Sequence, residues 1–226
     1  VKRFLSRRAA SCPLAALQRL LAPACLCVLA LSPGLGCTPQ GDTGIGPEGY
    51  SDDFDRAQLG PDWNVTGGPW RIVDGAVRIR EARNHPLWLR RTLPRDVRVE
   101  FDASTDTHDI KVEIFGDGVS HALSESYTAT SYVVIFGGWG NQHNVLARMD
   151  EHAEDRVVGA PLRVQPNRRY HFVIERRGSL ISVDVDGQRL MELDDPEPLA
   201  GRGHDHFGFN NWSADVTFDN LRIQPL

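Results

Sequence analysis

The chain has 226 residues, 41% of them hydrophobic and 24% charged, and a net charge of −5. The first 36 residues hold five basic and no acidic side chains, so the remainder carries −10. A surface this acidic repels nucleic acid phosphates, which argues against a nucleic acid partner and favours neutral or cationic ones. All four cysteines lie within the first 37 residues, so no disulfide staples residues 38–226, whose fold must rest on a hydrophobic core.

The chain opens with Lys2, Arg3, Arg7 and Arg8, followed by an apolar run from Leu20 to Leu31 and by Gly34-Leu35-Gly36-Cys37. A basic stretch, a short apolar stretch and small residues read as an export signal over residues 1–36. The run falls short of the ~20 apolar residues that a membrane span needs. Two fates fit Cys37. The segment resembles a bacterial lipoprotein lipobox, which implies a lipidated Cys37, a protein held in the bacterial cell envelope and membrane contact through the lipid anchor alone. Cleavage after Gly36 without lipidation would instead give a secreted protein. Residues 37–49 are rich in Gly and Pro and are predicted to be the lipidated cysteine and a flexible tether. Residues 50–226 are then the folded domain.

Within that domain the signals are those of strands. Asp74-Gly75 sits between apolar runs and predicts a tight hairpin turn. Val97, Val99 and Phe101 alternate with polar residues, as do Ile110, Val112 and Ile114, which is the period of a half-buried strand. Gly116-Asp117-Gly118 breaks the pattern, and the polar stretch from Val119 to Thr130 predicts a long surface loop. Tyr132 to Phe136 is apolar on both faces, as in a central strand. Ile181, Val183 and Val185 alternate again and lead into a second hairpin at Asp186-Gly187. In the last strand Val216 and Phe218 set one register and Leu221 and Ile223 the opposite one, which predicts a β-bulge at Asp219 and Asn220. Many short strands separated by turns predict an all-β, antiparallel sandwich.

Both ends of the domain carry a resemblance. Ser51-Asp52-Asp53-Phe54-Asp55 with Trp63 and the Trp70–Val77 run is similar to the opening of bacterial concanavalin A-like lectin/glucanase domains. Phe207-Gly208-Phe209-Asn210-Asn211-Trp212 with the Val216–Ile223 run resembles their closing strands. The resemblance extends to laminin-G-like modules and 3-keto-disaccharide hydrolases. It implies a jelly roll of two antiparallel sheets, carbohydrate recognition and in some members a structural calcium.

Several groups of residues are candidates for a site. Gly137-Gly138-Trp139-Gly140-Asn141-Gln142-His143-Asn144 follows the most apolar strand, where an indole and amides suit a sugar's apolar face and hydroxyls. Arg148, Asp150 and His152 would share one face of a strand. With Trp139, Asn141, His143 and Trp212 they form the predicted carbohydrate-binding face. Asp150, Glu151 and His152 are the acid and base candidates of an alternative saccharide-processing hydrolase; a structural or protein-interaction module is the other alternative. The Glu-x-Asp-x-Glu string of the superfamily's retaining glucanases is absent, which argues against their mechanism. His204 and His206, with His143 or His152 as a third ligand, have the spacing of a zinc pair. The resemblance places a calcium near Asp219 with Asp53.

Overall fold

The computed structural model describes residues 42–123 and 127–226. The predicted signal peptide and Cys37 lie outside the described residues. Strands run in the order β1 (Thr43–Gly44), β2 (Tyr50–Asp52), β3 (Trp63–Val65), β4 (Arg71–Val73), β5 (Ala76–Ile79), β6 (Leu87–Leu89), β7 (Arg91–Thr92), β8 (Val97–Thr105) and β9 (Ile110–Gly116). They continue with β10 (Tyr132–Gly137), a single helical turn α1 (Gly138–Asn141), β11 (His143–Arg148), β12 (Val157–Val158), β13 (Tyr170–Arg177), β14 (Leu180–Val185), β15 (Gln188–Asp194), β16 (His206–Asn210) and β17 (Val216–Pro225).

These strands build an antiparallel β-sandwich. The first sheet has the order β12-β11-β10-β9-β16-β6-β3. The second has the order β15-β14-β13-β8-β17-β5-β4, with β2 paired to the far half of β17. Both predicted hairpins form. Asp74 and Gly75 have φ of 52° and 73°, and Asp186 and Gly187 have 51° and 75°; two successive positive φ values are the turn whose twist matches that of the strands it joins. The predicted bulge also forms, as a register shift between Asp219 and Arg222 with Asn220 at φ 52°. It lets β17 pair with β5 through Val216–Phe218 and with β2 through Leu221–Ile223.

Between the sheets lies one aromatic core. Phe101 stacks on Phe172 at 4.9 Å, Phe209 stacks on Phe218 at 4.4 Å, and Phe101 meets Phe209 edge-on at 5.7 Å. At its N-terminal border the buried Asp52 carboxylate accepts two bonds from Arg56, at 2.6 and 2.8 Å, and one each from Trp63 Nε1 and Phe54 N, both at 2.9 Å. Burial alone would raise this carboxyl, but the donors from Arg56, Trp63 and the Phe54 amide outweigh it and hold the group below the usual carboxylate range.

The predicted tether needs a correction. Thr43–Gly44 pair in parallel with Arg91–Thr92, and Ile45 packs on the core. The folded body therefore takes in residues before the expected boundary at 50.

Alternation decides what each sheet shows on its outer face. In the second sheet, Arg98, Glu100 and Asp102 of β8 point out while Val97, Val99 and Phe101 point in. In the first sheet, Ile110, Val112 and Ile114 of β9 face the core, so Lys111 and Glu113 lie on the opposite face. Their cross-strand neighbours on that face are Val133 and Ile135 of β10, Gly208 and Asn210 of β16, and then Trp88 of β6. A Cβ on Gly208 or Gly116 would collide with the Trp88 ring, so glycine at both places is what lets the indole lie flat on the sheet.

The predicted surface loop does more than connect. Ala122, Tyr127 and Ala129 are buried against Val133, Ile135, Val145 and Ala147, and Trp88 Nε1 donates to Ser120 O at 2.9 Å. The loop thus roofs one end of the outer face of the first sheet, because apolar side chains there leave no stable solvated alternative.

Candidate functional site: a cleft between two tryptophans

Under the roof lies a carboxyl with three protein partners. The fully buried Glu113 accepts bonds from Tyr127 Oη at 3.1 Å, Ser131 Oγ at 2.5 Å and Asn210 Nδ2 at 2.5 Å. Burial pushes its carboxyl above the ordinary value, against the pull of Lys111 and of those three donors.

Beyond the roof the same face opens into a cleft of about 360 Å³, within the size range of small-ligand sites. Its walls include Trp139, Trp212, His108, Asp109, Lys111 and Glu151, with Asn84 and His152 beside them. Lys111 is 2% exposed; its Nζ donates to Asn84 Oδ1 at 2.7 Å and to Glu151 Oε2. The other oxygen of Glu151, Oε1, lies 3.7 Å from His152 Nε2.

Trp139 sits on a run of left-handed backbone. Gly137, Trp139, Gly140 and Asn141 have φ of 79°, 49°, 68° and 66°. For tryptophan this conformation costs about 1–2 kcal/mol, and strain of this kind persists only where the surroundings enforce it. The enforcing contacts come from Asn141, whose Nδ2 donates to Val164 O at 2.8 Å and whose Oδ1 accepts from Val164 N at 2.9 Å. Arg156 lies over the Trp139 ring at 5.5 Å, while His143 and His152 meet it edge-on at 6.0 and 5.6 Å. Trp212 is held in a parallel way. Asn211 accepts from Ala82 N and donates to Ala214 O, and Arg83 lies over the indole at 4.7 Å.

Two groups on the cleft wall have no such satisfaction. His108 Nδ1 is buried without a hydrogen-bond partner among the described residues. Asp109, at φ 73° in the turn between β8 and β9, has a half-buried carboxyl that accepts no hydrogen bond from the described residues. Burial pushes its pKa up and Glu151 adds to the rise, while Lys111 and His108 oppose it.

The structure divides the predicted face. Trp139, His152 and Trp212, with Glu151, meet in the cleft, and His143 flanks Trp139. Asn141 is committed to Val164. Arg148 ends β11, and the chain turns at Met149 (φ 67°), so Arg148, Asp150 and His152 do not form a strand row. Arg148 Nε pairs with Asp195 at 3.1 Å, and Asp150 Oδ1 accepts from His152 N at 2.9 Å. His108, Asp109, Lys111 and Asn84 were missed. The alternation of Ile110, Val112 and Ile114 already placed Lys111 on the face opposite the core, whereas Asp109 lies in the turn before the strand.

The metal expectations do not fit. Asp219 is already paired, accepting from Arg169 Nη2 at 2.8 Å, and Asp53 caps the Asp55 amide at 3.2 Å. His204 faces Thr130 O at 2.6 Å, and His206 lies between Asp42 and Asp205. No group of three or more metal-ligating side chains is found among the described residues. A larger groove, about 660 Å³, runs beside β2. Of its charged groups, Arg56 pairs with Asp52 and Asp62 with Arg91, while Glu48, Asp53 and Arg222 also line it.

Comparison with known proteins supports the fold. The chain is similar to the carbohydrate binding module CBM66 from Bacillus subtilis, with 15% identity, a TM-score of 0.55 and coverage of 74% of this chain and 98% of the other. A Bacillus subtilis protein with a galectin-like fold gives 15% identity, a TM-score of 0.55 and coverage of 77% and 94%. The Emp47p carbohydrate recognition domain gives 10% identity, a TM-score of 0.55 and coverage of 80% and 99%. At these identities the likeness is one of fold, a galectin-like sandwich. No curated protein matches the sequence. A family model described as "Farnesoic acid 0-methyl transferase" matches residues 89–222, more than half of the chain, and the protein belongs to that family.

Proposed function

We propose that the protein binds carbohydrate in the cleft between Trp139 and Trp212. The observation that carries this reading is the pairing of two indoles, each pinned by an arginine, with a floor of ammonium, carboxyl, amide and imidazole groups. Sugars need both kinds of surface, an aromatic plane for the C–H face and fixed polar groups for the hydroxyls. The similar folds named for carbohydrate binding and recognition point the same way. The family's descriptive name points to methyl transfer onto an isoprenoid acid. Such a ligand favours a long apolar channel, whereas this cleft has Lys111, Glu151 and Asp109 in its lining.

Affinity electrophoresis against a polysaccharide series and a glycan array test the reading. Retention that is lost in Trp139→Ala and Trp212→Ala is the expected result. A folded protein retained by no glycan overturns it.

The site of action proposed with this function is the bacterial cell envelope, through lipidation of Cys37. Labelled palmitate that enters the wild-type chain and is absent from Cys37→Ala is the expected outcome; equal labelling of both overturns the anchor.

A further inference from the structure

We infer that the cleft selects a neutral sugar ring with free hydroxyl groups, which Asn84 Nδ2 and Glu151 Oε1 read as donor and acceptor while Lys111 positions both. The inference rests on the carbohydrate reading and names the class of sugar.

The starting point is a set of three side chains on the cleft wall, Asn84, Lys111 and Glu151, joined in that order by hydrogen bonds. Asn84 is 3% exposed and Lys111 2%, and the Glu151 side chain is 14% exposed. Lys111 Nζ donates to Asn84 Oδ1 at 2.7 Å and to Glu151 Oε2. An ammonium has donors only, so it dictates which end of each partner it takes. The Asn84 oxygen must face Nζ. The amide nitrogen Nδ2 is thereby turned away; it donates to no described residue and is not closed off from solvent. On the other side Glu151 Oε1 accepts no hydrogen bond from the described residues, and His152 Nε2 stands off at 3.7 Å.

Both ends are fixed before a ligand arrives. The Asn84 amide donates to Asn211 O at 3.0 Å, the Arg83 amide to Trp212 O at 3.0 Å, and Asn84 O accepts from Ala122 N at 2.8 Å. The same bonds tie Asn84 to the segment that carries Trp212, so the polar pair and one indole form a single rigid unit. Polar groups this deeply buried are nearly always satisfied, and a donor and an acceptor left over on one cleft wall mark where a ligand supplies the partners.

Three kinds of ligand group can be weighed against this pair. A carboxylate accepts from Nδ2 but has no proton for Oε1; it would also face Glu151 and Asp109, while Lys111 is already neutralised by Glu151. An ammonium donates to Oε1 but offers nothing to Nδ2 and stands beside Lys111. A hydroxyl group both donates and accepts, so hydroxyls satisfy both ends without adding charge. Trp139 and Trp212 then take the C–H faces of the ring that bears them.

The experiment uses the full chain and a glycan that affinity electrophoresis shows to be retained. Competitors are the methyl glycosides of glucose, galactose and mannose, with their uronic acid, amino-sugar and O-methylated counterparts. Displacement by the neutral glycoside of at least one sugar is expected, with its charged and O-methylated counterparts weaker by about tenfold or more. The competitor order of the wild-type protein thus tests the sugar class without any variant. Glu151→Gln tests the positioning. Lys111 takes the oxygen of the new amide, so an N–H stands where Oε1 stood. Neutral glycosides should weaken about tenfold or more and the uronic acids gain on them, so that the order of the two classes reverses. Glu48→Gln, the same change of charge at an exposed residue outside the cleft, should leave the order unchanged. Asn84→Asp keeps an oxygen for Lys111, removes the donor and should weaken neutral glycosides about fivefold. Chemical denaturation checks that each variant is folded. Wild-type protein that takes uronic acids or amino sugars as well as neutral ones overturns the inference and leaves the binding reading standing. So does a folded Glu151→Gln protein with the order unchanged. Retention of no glycan overturns the binding reading and this inference together.

Discussion

The outer faces of the two sheets solve the same problem in opposite ways. On the second sheet the charges are exposed and neutralise one another: Arg78 with Asp215, Arg98 with Glu100 and Glu175, Arg169 with Asp102 and Asp219, and Arg189 with Asp184 and Glu192. On the first sheet the polar groups are fewer and buried, beneath a loop at one end and around a cleft at the other. Exposed pairs in high dielectric contribute little and can be exchanged. Buried groups are held in place by the cost of leaving any of them unsatisfied. A ligand can therefore be read by the first face, where its own hydroxyls complete the hydrogen bonding, and gains little on the second, where water already does so.

Substitutions sharpen this contrast. The largest effect is expected for Trp88→Ala, which empties the space that Gly116 and Gly208 reserve and removes the bond to Ser120. It should cost about 3–5 kcal/mol in chemical denaturation. Asp52→Asn should cost about 2 kcal/mol at neutral pH, since Arg56 and Trp63 lose a charged acceptor. The folded Asp52 carboxyl lies below its unfolded value, so its contribution is present above about pH 4 and is lost as pH falls through the folded pKa. The penalty of the variant should vanish in strong acid.

Asp109→Asn carries the opposite sign. The folded Asp109 carboxyl lies above its unfolded value, so the wild-type protein loses stability as pH rises from about 4 through the folded pKa. The variant escapes that loss and should be the more stable protein at neutral pH, with the gap closing in acid. Parallel pH–stability curves for the two proteins would break the assignment. Trp139→Gly should raise stability by about 1 kcal/mol by relieving the left-handed backbone, while glycan retention falls at least about tenfold. Any loss of stability would mean that packing of the indole outweighs its strain. The smallest effect belongs to the second sheet. Arg169→Ala should shift stability by no more than about 1 kcal/mol, and less in high salt.

The sandwich was legible before the structure because its signals are local. Period-two alternation, two Asp-Gly hairpins and the register slip at Asp219 each act within a few residues, and each appears where expected. The family was not read from the terminal motifs, which belong to a fold shared by many domains. The candidate site was legible only in part. Trp139, His152 and Trp212 stand out as residue types, and the cleft does contain them. Asn141 and Arg148 stand out equally, yet their polar atoms are taken by Val164 and Asp195, partners 23 and 47 residues away. Lys111 shows the reverse failure: a single lysine amid an alternating strand looks like a solvated side chain and is instead 2% exposed.

The sequence by itself determined the class of fold, its hairpins, its bulge and the acidity of its surface, since these arise from backbone preferences and side-chain counts. Tertiary structure decided which polar groups are satisfied and which are left over. That distinction rests on long-range pairings, among them those of Tyr127 and Ser131 with Glu113, and no local pattern encodes them. Asp109 and Glu113 are both carboxylic acids two residues either side of Lys111, one in the turn before β9 and one within it. Only the roof separates the one that is locked into the protein from the one that faces the cleft.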